Sequence, residues 1–247
     1  MIKTVIIDDN IQYCKHIINH IISKSKNMQV IYIATDGEEA LNVLEKKAID
    51  LVILDLKIPK ISGLEILKNI EQTKKDKISG VFCISADNEL LHSAYLYSKQ
   101  LNADFSNKME PIETTYNKIQ KLANEIENSR NSEKVKAIVQ KELETIGFNK
   151  KYKGTRYLLE AIMYVYSRGN LELLENLEKY VYQPIAIQNK TKAQNIKTNI
   201  VKVCEIVYLY QDKEAIKSYF LFDIKPTPKL VMTQIMEKIY KKNEQKF

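Results

Sequence analysis

Three aspartates, a serine and a lysine stand at positions from which they could together handle a phosphoryl group. Asp8 and Asp9 follow one short apolar run, Asp55 ends a second, Ser85 ends a third, and Lys108 comes just after a fourth. Clustered carboxylates need a compensating cation, and their hard oxygen ligands suit Mg²⁺. A carboxylate can also attack a phosphoryl group, whose charge an ammonium and a hydroxyl would stabilise. These residue types therefore predict a Mg²⁺ and phosphoryl site.

Each of these residues also has an ordinary structural explanation. A strand-end aspartate is usually a turn former or a helix cap. A lone lysine is usually solvated. The order and register of five fitting residue types favour chemistry over chance.

Apolar runs and helical patterns alternate through the first half of the chain. Five short strands are predicted, at Lys3–Asp8, Gln29–Ala34, Asp50–Asp55, Gly80–Ser85 and Ala103–Phe105. Between and after them, apolar residues recur at helical spacing. Five strands alternating with five helices predict an α/β fold with a parallel sheet covered on both faces. In such a sheet, functional groups gather at the carboxyl ends of the strands.

The second half has a helical pattern and predicts an all-α domain. Polar residues crowd together around Glu127–Ser132. This lapse predicts a linker over 128–134, between a first domain at 1–127 and a second at 135–247.

Composition and charge narrow the classes of function. The chain has 247 residues, of which 45% are hydrophobic and 28% charged, as expected of a globular protein. It contains no long apolar run and opens on a strand, so no membrane span or signal peptide is expected, and we predict a cytoplasmic protein. Cys14, Cys83 and Cys204 are predicted to be reduced.

The net charge of +7 is unevenly distributed. Residues 1–126 carry 16 basic and 17 acidic side chains, whereas residues 127–247 carry 22 and 14. A near-neutral half joined to a basic half suggests a control module attached to a part that meets a polyanion. Solvated lysines would give the same balance.

A helix-turn-helix is predicted near 183–210. A short helix at Pro184–Gln188 is followed by a turn at Asn189-Lys190 and a longer helix that begins at Thr191, a fitting N-cap. Apolar residues follow one face of that helix, and the other face carries the residues predicted to bind DNA: Gln194, Asn195, Lys197, Thr198 and Lys202. Amides can read adenine, and lysines can contact phosphate or guanine. An amphipathic helix with a solvated face would give the same pattern.

The first half resembles the receiver domain of two-component response regulators. The resemblance is carried by Asp8-Asp9, Asp55 with Pro59 and Gly63, Ser85-Ala86, and Ala103-Asp104-Phe105 leading to Lys108. It implies a flavodoxin-like sheet of order 2-1-3-4-5. It also implies that Asp55 accepts a phosphoryl group from a histidine kinase or phosphotransferase, with Mg²⁺ held by Asp8, Asp9 and Asp55. Lys108 would pair with the phosphate and Ser85 would move to bond it.

Two further implications of the receiver resemblance concern Phe105 and Met109. Phe105 matches the aromatic switch position, which we favour over the alternative of an ordinary core residue. Receivers usually have a proline after the lysine, where this chain has Met109. A cis bond without proline costs roughly 2.5–4 kcal/mol, so the Lys108–Met109 bond is expected to be trans.

The second half resembles the effector domain of the sporulation master regulator family, the stage-zero A regulators of spore-forming Firmicutes. The matching pieces, in order, are Ile146-Gly147, Lys153-Gly154, Tyr157-Leu158, Glu160-Ala161-Ile162, Leu171–Leu174, Tyr182, Ile185-Ala186 and Lys225-Pro226-Thr227. The resemblance implies a DNA-binding transcription regulator rather than an enzyme. It would bind double-stranded DNA, pair as a homodimer when phosphorylated, and have RNA polymerase as a further candidate partner.

The recognition helix departs from that family. Where the family has Arg-Val-Glu-Arg and then Ile-Arg-His, this chain has Asn195-Ile196-Lys197-Thr198 and Ile200-Val201-Lys202. An arginine on guanine is worth roughly 1–3 kcal/mol of discrimination, so the family's usual DNA box should not be recognised. The alternative is a diverged paralogue that no longer reads a specific DNA sequence and acts through protein partners.

Overall fold

The computed structural model describes residues 1–74, 77–211, 213–220 and 224–244. The chain divides into two units, Met1–Ser129 and Arg130–Phe247. Five parallel strands form the centre of the first unit in the order β2-β1-β3-β4-β5, which confirms the predicted sheet. They are β1 (Ile2–Ile7), β2 (Met28–Ala34), β3 (Leu51–Asp55), β4 (Gly80–Ser85) and β5 (Ala103–Asn107).

Helices cover both faces of this sheet. They are α1 (Ile11–Lys24), α2 (Gly37–Lys46), α3 (Gly63–Asn69), which continues as a π-helical segment over Ile70–Lys74, α4 (Asn88–Tyr97), and α5 (Ile112–Ile146). Neighbouring residues of one strand enter different cores: Val52 packs with α2, α3 and α4, whereas Ile53 packs with α1 and α5. Burial on both faces explains why the central strands are continuously apolar.

The segment predicted as a linker, 128–134, lies inside α5. The polar run Glu127–Ser132 interrupts the apolar stripe, but it contains no proline or glycine that would end a helix. The chain therefore continues as one helix from Ile112 to Ile146.

The second unit is built from helices, as predicted. After α5 come α6 (Lys153–Arg168), a 3-10 helix (Leu171–Asn176), a π-helical turn (Glu178–Tyr182), α7 (Gln183–Gln188), α8 (Ala193–Tyr210), α9 (Lys213–Phe220) and α10 (Pro228–Glu244). Its core is formed by the inward faces of α5, α6, α8 and α10, with Val139, Ile162, Ile200 and Ile235 all fully buried. Among the described residues no helix is long and apolar enough to cross a membrane.

Gly154 allows α6 and α8 to approach closely. A Cβ at this position would lie 2.1 Å from the backbone oxygen of Asn199 and 2.9 Å from Val203 Cγ1. Only glycine lacks the atom that would clash, so the backbone of α8 packs directly on this point of α6. Gly154, which together with Lys153 carried part of the resemblance, therefore has a packing role.

Candidate phosphoryl site and DNA-reading surface

Parallel strand register brings the predicted acidic residues to one edge of the sheet. Ile7 pairs with Leu54, so Asp8 and Asp55 follow adjacent strands at the same level. Asp8 is 2% exposed and Asp55 is 4% exposed, whereas Asp9 is on the surface. One carboxylate oxygen from each of these three residues lies within 4.8 Å of the other two. The structure thus brings together the three predicted Mg²⁺ ligands.

Lys108 bridges the two buried carboxylates. Its Nζ lies 2.8 Å from Asp8 Oδ2 and 2.6 Å from Asp55 Oδ2. Burial raises the pKa of Asp8, and the hydrogen bond and charge of Lys108 oppose that rise only in part. Burial alone would lower the pKa of Lys108, but its hydrogen bonds to Asp55 and Asp8 outweigh burial and raise it. The site therefore holds a charged ammonium against carboxylates that have lost most of their water.

Backbone groups orient each carboxylate. The N–H of Lys57 donates to Asp55 Oδ1 at 3.0 Å, and the N–H of Asn10 donates to Asp8 Oδ1 at 2.9 Å. Gly63 supports the first of these arrangements, because a Cβ there would lie 2.3 Å from the backbone oxygen of Asp55. The loop after β3 is therefore held tightly against the aspartate that ends this strand.

Ser85 lies at the end of β4, as the sequence predicts, whereas Phe105 lies in the middle of β5, because that strand continues two residues beyond its predicted end, to Asn107. Ser85 is 1% exposed and its Oγ accepts a hydrogen bond from the N–H of Asp87 at 3.1 Å. A hydroxyl that accepts one bond retains its own proton as a donor. Phe105 is half-buried and contacts the exposed Tyr95 edge to face, with 6.0 Å between ring centroids.

The peptide bond after Lys108 is trans, as predicted, since the described residues include no cis bond. Sequence reasoning missed the residue that supports this lysine from α1. The Tyr13 ring lies beneath Lys108, with 5.0 Å from Nζ to the ring centroid. An aromatic face attracts an ammonium at this distance. Tyr13 lies in the first turn of α1, shortly after the Asp8-Asp9 pair, and this closeness in sequence was the available signal.

The donor set of the acidic cluster fits a divalent cation. Three carboxylates and one lysine leave the cluster with two uncompensated negative charges. Carboxylate oxygens with open positions for water are the ligands that Mg²⁺ accepts. Asp8, Asp9 and Asp55 would hold such an ion, and its chemistry there would be to stabilise the charge of phosphoryl oxygens.

The second unit contains the predicted helix-turn-helix, α7 and α8. Lys190 in the turn has a positive φ of 50°, and the buried side of α8 is formed by Ile196, Ile200, Val203, Cys204 and Val207. The prediction that α8 begins at Thr191 is wrong: the helix begins at Ala193, with Lys192 at the N-cap. The Thr191 hydroxyl accepts a hydrogen bond from the side-chain amide of Asn195 at 3.1 Å. The backbone N–H of Thr191 donates to the carbonyl oxygen of Ala186.

The five predicted DNA-binding residues differ in their surroundings. Gln194, Asn195, Thr198 and Lys202 are exposed. Lys197 is turned to the side of α8, where its Nζ lies 2.9 Å from a carboxylate oxygen of Glu178. Sequence reasoning did not identify Glu178, because that residue comes from a separate turn of helix.

Comparison with known families accounts for both units. Residues 4–103 match the response regulator receiver domain. Residues 139–242 match the C-terminal domain of the sporulation initiation factor Spo0A. The chain is a response regulator of the Spo0A type. This pair of domains is that of a DNA-binding transcription regulator of a two-component system, not of an enzyme.

Individual relatives that match part of the chain include one curated protein and several solved receiver domains. A protein-glutamate methylesterase/protein-glutamine glutaminase of Trichodesmium erythraeum (strain IMS101) is 41% identical over 73 residues, which are 30% of this regulator and 20% of that protein. The regulator thus spans about a fifth of that relative, and the methylesterase activity does not carry over.

Solved receiver domains are more distant in sequence. The response regulatory domain of mrkE from Klebsiella pneumoniae is 24% identical, with a TM-score of 0.46, and covers 51% of this chain and 99% of its own. The CheY-like receiver domain protein of Methanospirillum hungatei JF-1 is 17% identical, with a TM-score of 0.44, and covers 52% and 98%.

Proposed function

We propose that phosphorylation of Asp55 controls DNA binding by this regulator. A histidine kinase or phosphotransfer protein would supply the phosphoryl group, and the protein would act in the cytoplasm. The observation that carries the proposal is the geometry of Asp55. Its carboxylate is buried, its Oδ1 is held by a backbone N–H, and its Oδ2 lies 2.6 Å from an ammonium. Such a carboxylate is oriented and shielded for attack on phosphorus.

The transfer conserves atoms and charge in a simple way. A carboxylate oxygen of Asp55 forms a bond to phosphorus, the phosphorus–nitrogen bond to the donor histidine breaks, and the imidazole takes up a proton. The acyl phosphate carries about −2 in place of −1 on the carboxylate. Lys108 is positioned to pair with the added charge, and Ser85 retains a proton to donate. Both residues therefore interact more strongly with the phosphorylated state.

This difference in contacts would shift the receiver between two conformations. Ser85 moving toward the phosphate would open space at the end of β4, two residues beyond Cys83, the residue that pairs with Phe105 on the neighbouring strand. Phe105 rests against Tyr95, and α4 exposes Tyr95, Leu96 and Tyr97. We assign the α4–β5–α5 face to homodimerisation of the phosphorylated regulator. RNA polymerase is the candidate partner through which bound regulator would affect transcription.

The DNA-facing element is α8. Its exposed face presents amides, a hydroxyl and lysines, and Lys192 at the N-cap has no acceptor with which to cap the helix. The first N–H groups of α8 are therefore suited to a phosphate of the DNA backbone. The basic charge of residues 127–247 supports the same assignment. The phosphate-binding and base-reading groups lie at the same end of this helix.

Intact-mass measurement of the full-length regulator tests phosphorylation at Asp55. After incubation with acetyl phosphate and Mg²⁺, the wild type should gain one phosphoryl group. Asp55→Asn should gain none, and chelation of the metal should abolish the gain in the wild type. Asp104→Asn makes the same chemical change on β5 outside the acidic cluster and should gain the group normally. Modification of Asp55→Asn to the wild-type extent would refute the assignment.

A further inference from the structure

The orientation of α8 determines which side chains a DNA groove would meet. Its inward stripe, Ile196, Ile200, Val203 and Val207, is at most 1% exposed. With 3.6 residues per turn, the side opposite this stripe in the first turns is formed by Gln194, Thr198 and Lys202, with Asn195 beside them. All four are exposed. The groups on the outward side of α8 are thus two amides, a threonine and a lysine.

Arginine, the side chain that most often reads guanine, is missing from this surface. The arginines of the chain are Arg130, Arg156 and Arg168, and all three precede the helix-turn-helix. Lysine can also contact guanine, but Lys197 is turned to Glu178 at the side of the helix. Such an exposed ion pair contributes little to stability, so Lys197 could exchange it for a nearby phosphate. Only Lys202 remains in the outward stripe.

The amides are suited to adenine. Asn or Gln can donate to N7 of adenine and accept from its N6 amino group, and a threonine methyl can contact the methyl group of thymine. We propose that α8 reads A·T base pairs in the major groove, with Gln194 and Asn195 on adenine and Thr198 against a thymine methyl. This inference rests on the DNA-binding function proposed above and adds the class of base pair that the helix selects.

Hydrogen bonds at the start of α8 restrain both amides before DNA binds. Asn195 Nδ2 donates to Thr191 Oγ1 at 3.1 Å, and Gln194 Nε2 lies 3.5 Å from Thr198 Oγ1. An amide nitrogen has two N–H groups, so each retains one for a base edge. A side chain held before binding loses less entropy when it contacts the base. The lysines Lys192 and Lys202 are exposed at this face and would add phosphate contacts that do not depend on sequence.

A selection from random-sequence DNA duplexes tests the inference. The full-length regulator, treated with acetyl phosphate and Mg²⁺, would be compared with Asn195→Ala, Gln194→Ala and Asn195→Arg. The wild type should enrich sites with A·T pairs at the contacted positions. Each alanine variant should reduce the preference at one position about 10-fold. Asn195→Arg should change the preferred base at its position from adenine to guanine. A variant with a damaged fold would lose binding and would not gain a new base preference.

A second pair of variants separates base reading from phosphate contact. Lys202→Ala should weaken binding to all retained sequences by a similar factor, whereas Lys241→Ala removes an exposed lysine of α10 and should leave binding unchanged. Enrichment of G·C pairs, or retention of duplexes without preference, would overturn A·T reading and leave DNA binding standing. If no duplex is retained at low salt, while the regulator still gains a phosphoryl group, DNA binding and A·T reading both fail.

Discussion

Gly154→Ala should move the recognition helix, because the new Cβ would lie 2.1 Å from the backbone oxygen of Asn199. Real Cβ contacts are at least 3.0 Å, so α6 and α8 would have to separate by about 1 Å. Overpacking costs roughly 1–3 kcal/mol, and a clash with backbone rather than a flexible side chain favours the upper end. Alanine returns about 1 kcal/mol of helix propensity. We expect a net loss of about 1–2 kcal/mol.

Gly169→Ala is the matched control. Gly169 ends α6 with φ +61°, and a Cβ there would have nothing within 4 Å. Alanine in this left-handed conformation costs roughly 1–2 kcal/mol, so the two variants should lose similar stability. For a domain of this size, each kcal/mol corresponds to about 4 °C in the midpoint of thermal unfolding. Only Gly154→Ala should displace α8.

The assay is DNA binding below the unfolding midpoints of both variants, together with thermal unfolding followed by circular dichroism. A recognition helix displaced by about 1 Å loses base contacts worth roughly 1–3 kcal/mol each, so Gly154→Ala should bind about 10-fold more weakly. Gly169→Ala should bind as the wild type does. Equal losses in the two variants would show that stability rather than helix position limits binding. If Gly154→Ala unfolds at the same temperature as the wild type and binds DNA equally well, the close approach of α6 and α8 is refuted.

Three further predictions concern the receiver unit. Gly63→Ala should slow phosphorylation by acetyl phosphate, because its Cβ would push on the backbone of Asp55 from 2.3 Å; unchanged kinetics would contradict the contact. Tyr13→Leu should slow phosphorylation several-fold, because it removes a cation–π contact with Lys108 worth roughly 0.5–2 kcal/mol. Tyr13→Phe keeps the ring and should not slow it. Equal phosphorylation rates in the two variants would exclude this role of Tyr13. Hydrogen bonds from Ser62 lower the pKa of Glu65 in the folded protein. Glu65 therefore contributes its full stabilisation of the fold above its pKa in the unfolded chain, which is about 4.3, and this contribution is lost as the pH falls through the lower pKa of the folded state. Glu65→Gln should therefore lose less unfolding free energy than the wild type between pH 7 and pH 3, as measured by urea titration, and an identical pH dependence would count against the capping interaction.

Much of the receiver unit was predictable because parallel strands impose simple geometry. Once β1, β3 and β4 are recognised as buried parallel strands, Asp8, Asp55 and Ser85 must gather at one edge. The contact of Tyr13 with Lys108 was not predictable in this way. It depends on the path of α1 over the sheet, which apolar periodicity does not specify.

Three features of the chain after Ile126 show where local patterns fail. The polar run Glu127–Ser132 interrupts the apolar stripe but does not end the helix. The stripe depends on which side chains are apolar, whereas a helix is ended by residues such as proline or glycine, which this run lacks. Thr191 is a good N-cap by type, yet its N–H is bonded to Ala186 and the helix begins two residues later. The pair formed by Lys197 and Glu178 joins residues 19 positions apart, beyond the reach of helical spacing.

Capture of sheared genomic DNA by the full-length regulator tests most directly whether the receiver controls DNA binding. The regulator would be compared with and without acetyl phosphate plus Mg²⁺, with Asp55→Ala in parallel. We expect enrichment of discrete sites that strengthens on phosphorylation in the wild type and not in Asp55→Ala. Retention that is uniform along the genome, sensitive to salt and indifferent to phosphorylation would contradict it. That result would favour a regulator that acts through protein partners.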